Sequence, residues 1–402
     1  MKRILLSLTL LLAVAAMQAR TPADDVPLRS DTTVWFITVG PGSQIYELEG
    51  HSAIAMVMPD GREVATNYGV FDFDAPNFVW RFVKGETDYM SVNVPLGYFT
   101  NSYAGSGRLI EAARLDLTPE QTARLAAILE HDTDPRFRTY RYNYVLDNCA
   151  TRPLRAVEQA IGDSILLAPA PFEANSSVPV TFRNIMRHYH ANYPWYQFGI
   201  DLALGSGIDR PVSRREAAFA PAELRYMLRG ARVGDRPLVA ETVVIAPETA
   251  GVATEGPTPW YAGPQAVCWL VFAFALWLTI NDIRHKRTTC WFDALLYGTF
   301  GLAGLVLTFL IFVSEHEATS PNWLYVWLNP FCFIAAVLVW IKRARRVLIC
   351  YHFINFVAVI ALVLAWPWIP QSANAAFVPL VAADLLRSGC YLYIHRKSET
   401  TK

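Results

Sequence analysis

The chain has 402 residues, 35 basic and 35 acidic, so it is formally neutral, and 53% of it is hydrophobic. A strongly basic face is lacking, which sets nucleic acid aside as a partner. The neutrality hides an asymmetry: Arg20 to Thr258 holds 22 Lys/Arg and 29 Asp/Glu, whereas Pro259 to Lys402 holds 11 and 6. A mildly acidic soluble part of about 240 residues, ample for one core, therefore precedes a basic, apolar part.

In chain order the first element is an export signal over residues 1–19. Lys2 and Arg3 precede an apolar run, Ile4 to Ala16, too short to span a bilayer comfortably, with cleavage expected after Ala16 or Ala19; the alternative is an uncleaved anchor. The soluble domain, residues 20–245, reads as α+β. Val34–Val39 and His51–Met58 predict strands, and Pro59-Asp60-Gly61-Arg62 predicts a hairpin turn into Glu63–Val70. Phe78–Lys84, apolar and basic, reads either as a membrane-docking segment or as an amphipathic core segment. Pro119–Glu130 predicts a helix with Thr118 as N-cap and Gln121 three residues on. Further helices are expected at Arg152–Ile161, ending at Gly162, at Thr181–Asn192, stopping before Pro194, and at Pro221–Leu228, ending before Gly230. Ala246–Pro259 reads as a linker.

Residues 260–402 read as an all-α membrane domain of five transmembrane helices. Apolar runs fall at Pro264–Ile280, Trp291–Val313, Leu324–Ile341, Val347–Trp366 and Phe377–Ile394. Basic clusters follow the first, third and fifth runs: Arg284 to Arg287, Lys342 to Arg346, and His395 to Lys397. The loops Ser314–Trp323 and Pro367–Ala376 have no Lys or Arg. The positive-inside rule then places the soluble domain outside and the C-terminus in the cytoplasm.

Chemistry centres on Cys149, the only cysteine in the first 260 residues; Cys268, Cys290, Cys332, Cys350 and Cys390 all lie in the apolar third. In an exported domain a lone thiol has no disulfide partner, so it is either buried and inert or kept for its reactivity. Its polar setting, Asp147 to Arg152, favours reactivity. Position just before a helix would give it thiolate character, although Pro153 bars an unbroken helix from Cys149. Its backbone N–H with the Asn148 side chain could serve an oxyanion hole, and Asp147 and Arg152 are assigned with Asn148 to positioning.

Four histidines could act as base. His131 suits a solvated helix end, and His188 and His190 an exposed or interfacial helix face. His51, after Gly50 and at the mouth of an apolar strand, suits a positioned base. A third group must orient the imidazole. A turn at Asp60-Gly61 puts Tyr68 on the His51 side; a slip of one residue would substitute Asn67. No metal or cofactor is expected.

Gly50-His51-Ser52, Asn67 to Phe73, Tyr142 to Arg152, and Gly205 to Pro211, with Glu315-His316, Asn322 and Asn329-Pro330 in the membrane half, resemble the Lnb family, lipoprotein N-acyltransferases of Bacteroidota. The resemblance implies Cys149 as nucleophile and His51 as base. Histidine before cysteine is also similar to permuted papain-like folds of the NlpC/P60 and lecithin:retinol acyltransferase type. It implies ping-pong acyl transfer in the inner membrane, with the catalytic domain in the periplasm. A membrane phospholipid would acylate the thiol, and the N-terminal amine of a diacylated lipoprotein would take the chain. His316, Asn322 and Asn329 would then position a headgroup or amine; the plain alternative is a solvated loop. The competing readings are a membrane-tethered NlpC/P60-like cysteine peptidase or amidase acting on the cell wall, and a non-catalytic sensor with a buried thiol.

Overall fold

The computed structural model describes residues 31–395 except 73, 252 and 253, so the expected export signal, Arg396 and Lys397 lie outside the described residues. The chain begins with β1 (Thr33–Val39), β2 (His51–Val57), β3 (Glu63–Val70), α1 (Phe78–Lys84), β4 (Asp88–Pro95), α2 (Leu96–Ala104) and β5 (Ile110–Leu115). Next come α3 (Pro119–Thr133), β6 (Thr139–Arg141), α4 (Thr151–Ile161), α5 (Pro171–Asn175), α6 (Phe182–Tyr189) and α7 (Pro194–Ala203). The soluble half closes with α8 (Arg214–Ala217), α9 (Pro221–Arg229), a small hairpin of β7 (Arg232–Val233) and β8 (Arg236–Pro237), and β9 (Val239–Ala246).

Seven strands form one antiparallel sheet in the order β6-β4-β3-β2-β1-β5-β9. Alternation sorts its side chains to two cores. Val34, Phe36, Ile54 and Met56 meet α3, α4 and α9 through Leu125, Leu154, Val157 and Leu224. Ile37, Val39, Ala53 and Ala55 meet Phe99 of α2 on the other face.

Local signals account for the helix ends. Thr118 and Gln121 form a reciprocal capping box on α3, which runs to Thr133, three residues past its expected end. Gly162 ends α4 in the left-handed region, at φ 78°. The helix expected over Thr181–Asn192 is shorter, Phe182–Tyr189, and Pro194 opens α7, which the sequence reading did not find. A proline at the first helical position forfeits no bond the helix would have made.

The expected linker is tied down rather than loose. Thr249 N–H bonds the Gly107 carbonyl at 2.8 Å, and Asn192 and Tyr193 hold Glu255.

The membrane half departs from expectation at one segment. Among the described residues, four helices are long and apolar enough to cross a bilayer: α10 (Pro264–His285), α11 (Cys290–Phe312), a run over Lys342–Trp368 containing α13 (Arg345–Ala365), and α14 (Phe377–His395). The third run, Leu324–Ile341, is not a spanning helix. It holds a 3-10 turn at Trp323–Val326 and the seven-residue α12 (Cys332–Leu338), about 10 Å long against a core of about 30 Å. Asn329-Pro330 breaks it, since Asn329 turns its side chain onto the Phe331 N–H at 3.1 Å and proline offers no donor. One side of the broken segment packs into the bundle, with Leu324, Trp327, Leu328, Cys332 and Ala335 buried, while Phe331, Val337 and Trp340 stay exposed. Gly304 of α11 makes room for it: a Cβ there would lie 2.4 Å from the Asn329 carbonyl carbon. Its ends meet opposite ends of the bundle, Asn322 bonding Gln371 between α13 and α14, and Arg345 bonding the His395 carbonyl at the end of α14.

The soluble domain is seated on the loops at one end of the bundle. Gly205 and Ser206 donate their N–H groups to Ala318 and Pro321 at 2.8 Å, so the Gly205 to Pro211 motif receives the loop after α11. Arg187 bonds Ser372, and Asn374 bonds Asp201, on the last loop.

Candidate active site

Cys149 lies two residues before α4, buried, in a turn that Asn148 builds. The Asn148 Oδ1 accepts the N–H groups of Ala150 and Thr151 at 2.9 Å, and its Nδ2 donates to the carbonyls of Tyr144 and Phe219. With both donors spent on carbonyls, Asn148 shapes the turn and does not supply an oxyanion donor, contrary to expectation. Asp147 pairs with Arg152 at 3.0 Å and Arg155 at 3.1 Å, and Arg152 lies over the Tyr140 ring at 3.4 Å. Arg152 and Arg155 hold the turn from outside through Asp147.

Pro153, the residue that complicated the sequence reading, has a definite consequence. It sits at the third helical position, where its N–H would have bonded the Cys149 carbonyl four residues back. That carbonyl instead accepts the Ser52 hydroxyl at 2.6 Å. The cysteine turn is thereby stitched to the strand position that follows His51. The stitch also brings the Ser52 backbone N–H to the Cys149 sulfur, with the Tyr142 hydroxyl as a second donor. Gly69 permits the approach: a Cβ there would stand 3.4 Å from that of Cys149, and its φ of 84° favours glycine.

His51 opens β2 on the α2 face, its ring 5.6 Å from that of Tyr103 and 6.1 Å from that of Phe99. Its Nε2 lies 2.7 Å from Oδ1 of Asn67. With Nε2–H donating to that oxygen, the basic lone pair is on Nδ1. Tyr68 is not the orienting group. The hairpin pairs Val57 with Glu63 across five intervening residues, so Ala53 faces Asn67, and Asn67 shares the His51 face. Tyr68 falls on the helix face and donates to Asp132 at 2.9 Å. A turn centred on Asp60, rather than between Asp60 and Gly61, makes the one-residue difference.

Burial sets the electrostatics. It pushes the Cys149 thiol up to about 11, against the Ser52 N–H, Tyr142 hydroxyl and Cys149 N–H, which favour thiolate. The nearness of a helix start does not overcome it. Burial likewise pushes the partly buried His51 down to about 4, opposed by the Asn67 bond and helped by the Arg108 charge. At neutral pH the resting groups are therefore a thiol and a neutral imidazole.

Four further residues escaped the sequence reading. Tyr142 stood within a recognised motif but had no assigned role. Arg108 is buried over the Tyr103 ring at 4.9 Å, bonded to Glu47 at 2.8 Å and the Gly40 carbonyl at 2.9 Å, with no local pattern to announce it. His190, expected on an exposed or interfacial face, is buried between Glu49 and Gln197 at 2.6 Å each, whereas His188 is exposed. Glu49, two residues before His51, was not singled out. His131 is exposed as expected and stacks on Phe137.

An aromatic lane leads away from the thiol. Tyr142 stacks on Tyr89 at 4.1 Å, Tyr89 meets Phe71 at 5.0 Å, Phe71 stacks on Phe78 at 5.7 Å, and Phe78 on Phe82 at 6.2 Å. Phe78 and Phe82 belong to α1, which has no buried residue, so it is not a core segment. Trp80 of α1 rests 4.9 Å from Phe309, near the end of the α11 span. The last carbonyls of α1 are taken by the loop after that span: His316 Nε2 bonds Phe82, Ser314 Oγ bonds Val83, and Glu315 N–H bonds Lys84, at 2.7, 2.8 and 2.8 Å. His316 thus clamps α1. Asn322 is spent on the Leu202 carbonyl and Gln371, and Asn329 on the broken third segment. The structure does not bring these three residues to Cys149.

Residues 18–188 match the Lnb N-terminal periplasmic domain, and residues 257–399 match the Lnb transmembrane domain. The chain belongs to the Lnb family. No curated protein and no solved structure matches it. Both Lnb domains are present in the Lnb order, which makes the chain a lipoprotein N-acyltransferase with a periplasmic N-terminal domain, and nothing in the match favours a cell-wall peptidase.

The orienting assignment separates two substitutions. Asn67→Ala is expected to slow transfer by about tenfold to a hundredfold, through loss of imidazole orientation. Tyr68→Phe should leave transfer near wild type and cost about 1 kcal/mol of stability, from the buried Asp132 bond. Initial rates and unfolding midpoints of the two variants check this, and the opposite ranking would return the role to Tyr68.

Proposed function

We propose that Cys149 carries the acyl chain as a thioester between a membrane phospholipid and the N-terminal cysteine amine of a diacylated lipoprotein. The observation that carries this reading is the lane of rings from the thiol to α1. It joins a buried nucleophile to the level of the spanning helices, where both substrates reside.

In the first half-reaction His51 Nδ1 takes the thiol proton while sulfur attacks the ester carbonyl carbon. The tetrahedral intermediate collapses, the C–O bond breaks, and the imidazolium returns the proton to the departing alkoxide, leaving a lysolipid. In the second, the amine attacks the thioester carbonyl, His51 takes a proton from nitrogen, and the C–S bond breaks as sulfur recovers a proton. The Ser52 N–H and the Tyr142 hydroxyl, already beside the sulfur, are placed to steady the carbonyl oxygen. Asn67 holds the imidazole in the tautomer this requires. A cysteine, histidine and asparagine in these roles support a permuted papain-like fold. Among the described residues, the loops that touch the soluble domain are those without Lys or Arg, which supports an outside catalytic domain and a cytoplasmic C-terminus.

The test uses full-length protein, with the other five cysteines replaced by alanine or serine, in vesicles of phosphatidylethanolamine. A hydroxylamine-labile acyl mass on Cys149, discharged on addition of a diacylglyceryl-cysteine peptide, is the expected result; no acyl adduct under turnover would reject it.

The protonation states add a second expectation. Alkylation of Cys149 by a small uncharged reagent should climb with pH toward about 11, because burial holds back the thiolate. His51 is the opposite case: its folded value, about 4, lies below its unfolded value. Between the two the unfolded chain binds more protons, so stability is retained above the unfolded value and lost as pH falls toward 4. Unfolding midpoints of wild type and His51→Gln, compared from pH 7 to 4.5, should converge or cross as pH falls.

A further inference from the structure

A cavity lies where the soluble domain meets the first spanning helix, with a volume of about 810 Å³. Its walls are apolar: Trp260, Pro264, Trp269 and Leu270 line it, and Trp269 and Leu270 continue into the exposed face of α10. Its inner end is polar, made by His190 and Gln197. Gln197 is 7% exposed, its Oε1 is 2.6 Å from His190, and its Nε2 has no partner among the described residues. A buried amide donor left unpaired costs stability unless something accepts from it. Arg187 also lines the cavity, but its guanidinium is spent on Asp201 and Ser372, so the inner end asks for a neutral acceptor rather than an anion.

A cavity of this size, with apolar walls, one neutral donor at its inner end and a mouth that runs onto a lipid-facing helix, fits an uncharged ester joined to hydrocarbon chains. We propose that it binds the diacylglyceryl part of a membrane lipid, ester oxygen at the Gln197 amide and chains along Trp269 and Leu270. Phospholipid and diacylated lipoprotein share that chemistry, and assigning the site to one of them rests on the acyl-transfer reading above. The inner end is wired to the catalytic strand: Gln197 bonds His190, His190 Nε2 bonds Glu49 at 2.6 Å, and Glu49 lies two residues before His51. Occupancy here sets the position of the segment that carries the base, so this is a positioning site distinct from the aromatic lane.

The experiment uses full-length Cys149→Ala protein in phosphatidylethanolamine nanodiscs containing a trace of the same lipid with a diazirine close to the ester end of one chain. After irradiation, labelled peptides are mapped by mass spectrometry. Labelling is expected to concentrate on residues 258–270, about fivefold or more above the Phe274–Trp277 stretch of the same helix, and to fall about tenfold when Ala266→Trp or Leu270→Trp fills the cavity. An excess of diacylglyceryl-cysteine peptide displaces the label if the site holds the acceptor. Persistence of the label assigns the site to the phospholipid, and in that case Ala266→Trp in the wild-type background slows thioester formation instead of thioester discharge. Uniform labelling along α10, unchanged by both filling substitutions, would overturn the proposal. Because the label is read in protein without the nucleophile, that failure says nothing against the thioester, and a missing thioester says nothing against the cavity.

Discussion

Replacing Cys149 with alanine should reduce acyl transfer by a factor on the order of 10⁴ or more, while the protein remains folded and inserted. The expectation rests on the way the thiol is held. Sulfur is buried, supplied with the Ser52 N–H and the Tyr142 hydroxyl, and its turn is pinned by the Ser52 hydroxyl on the Cys149 carbonyl. Those contacts belong mostly to backbone and neighbours, so alanine removes the nucleophile and little else. Cys149→Ser keeps the size but not the chemistry: its hydroxyl is a far weaker nucleophile, and an ester intermediate would discharge slowly to an amine. His51→Ala should cost about 10²- to 10⁴-fold, the usual worth of a general base, and Asn67 should then no longer matter. Intact-mass analysis for the thioester, with rates of lipopeptide acylation, measures all three. Transfer by Cys149→Ser within about tenfold of wild type would sink the thioester mechanism.

The second large effect lies in the bundle. Arg387 of α14 is buried and donates to both oxygens of Asp293 at 2.6 and 3.0 Å, to Asp282 at 2.9 Å, and to Thr279 at 3.2 Å, tying α14 to α10 and α11. Arg387→Met leaves two carboxylates facing each other without a counter-ion, and should destabilise the fold by about 3–5 kcal/mol. Neutralising the carboxylates along with it, in Arg387→Met/Asp282→Asn/Asp293→Asn, should recover most of the loss, because the penalty comes from stranded charge rather than from a missing attraction. Denaturant titration in micelles measures both variants. Equal stability of the single and triple variants would show that the ion cluster is not what joins these helices.

How much of this fold is legible in the sequence depends on the range of the physics involved. The α3 capping box and the Gly162 helix end are local, and residues a few positions apart were enough to place them. The thiol stood out because an exported chain has no use for a lone cysteine in polar company. What escaped depended on register or distance. One residue in the length of a turn moved the orienting role from Tyr68 to Asn67, and hydropathy cannot count a turn. The third apolar run looked like its neighbours because the average ignores one Asn-Pro pair and the glycines across from it. His190 meets Glu49, and Arg108 meets Glu47 and Gly40, from distant parts of the chain, and no local pattern predicts a buried polar group whose partner is 141 residues away.

The double seating of the soluble domain, on the loop after α11 and on the loop before α14, fixes the position of Cys149 relative to the spanning helices. On the thioester mechanism proposed above, a nucleophile held in this way works as a depth gauge: it would meet carbonyls at one level and be indifferent to how far the chain extends below, so selectivity for the position of the ester bond should be stringent where selectivity for chain length is slack.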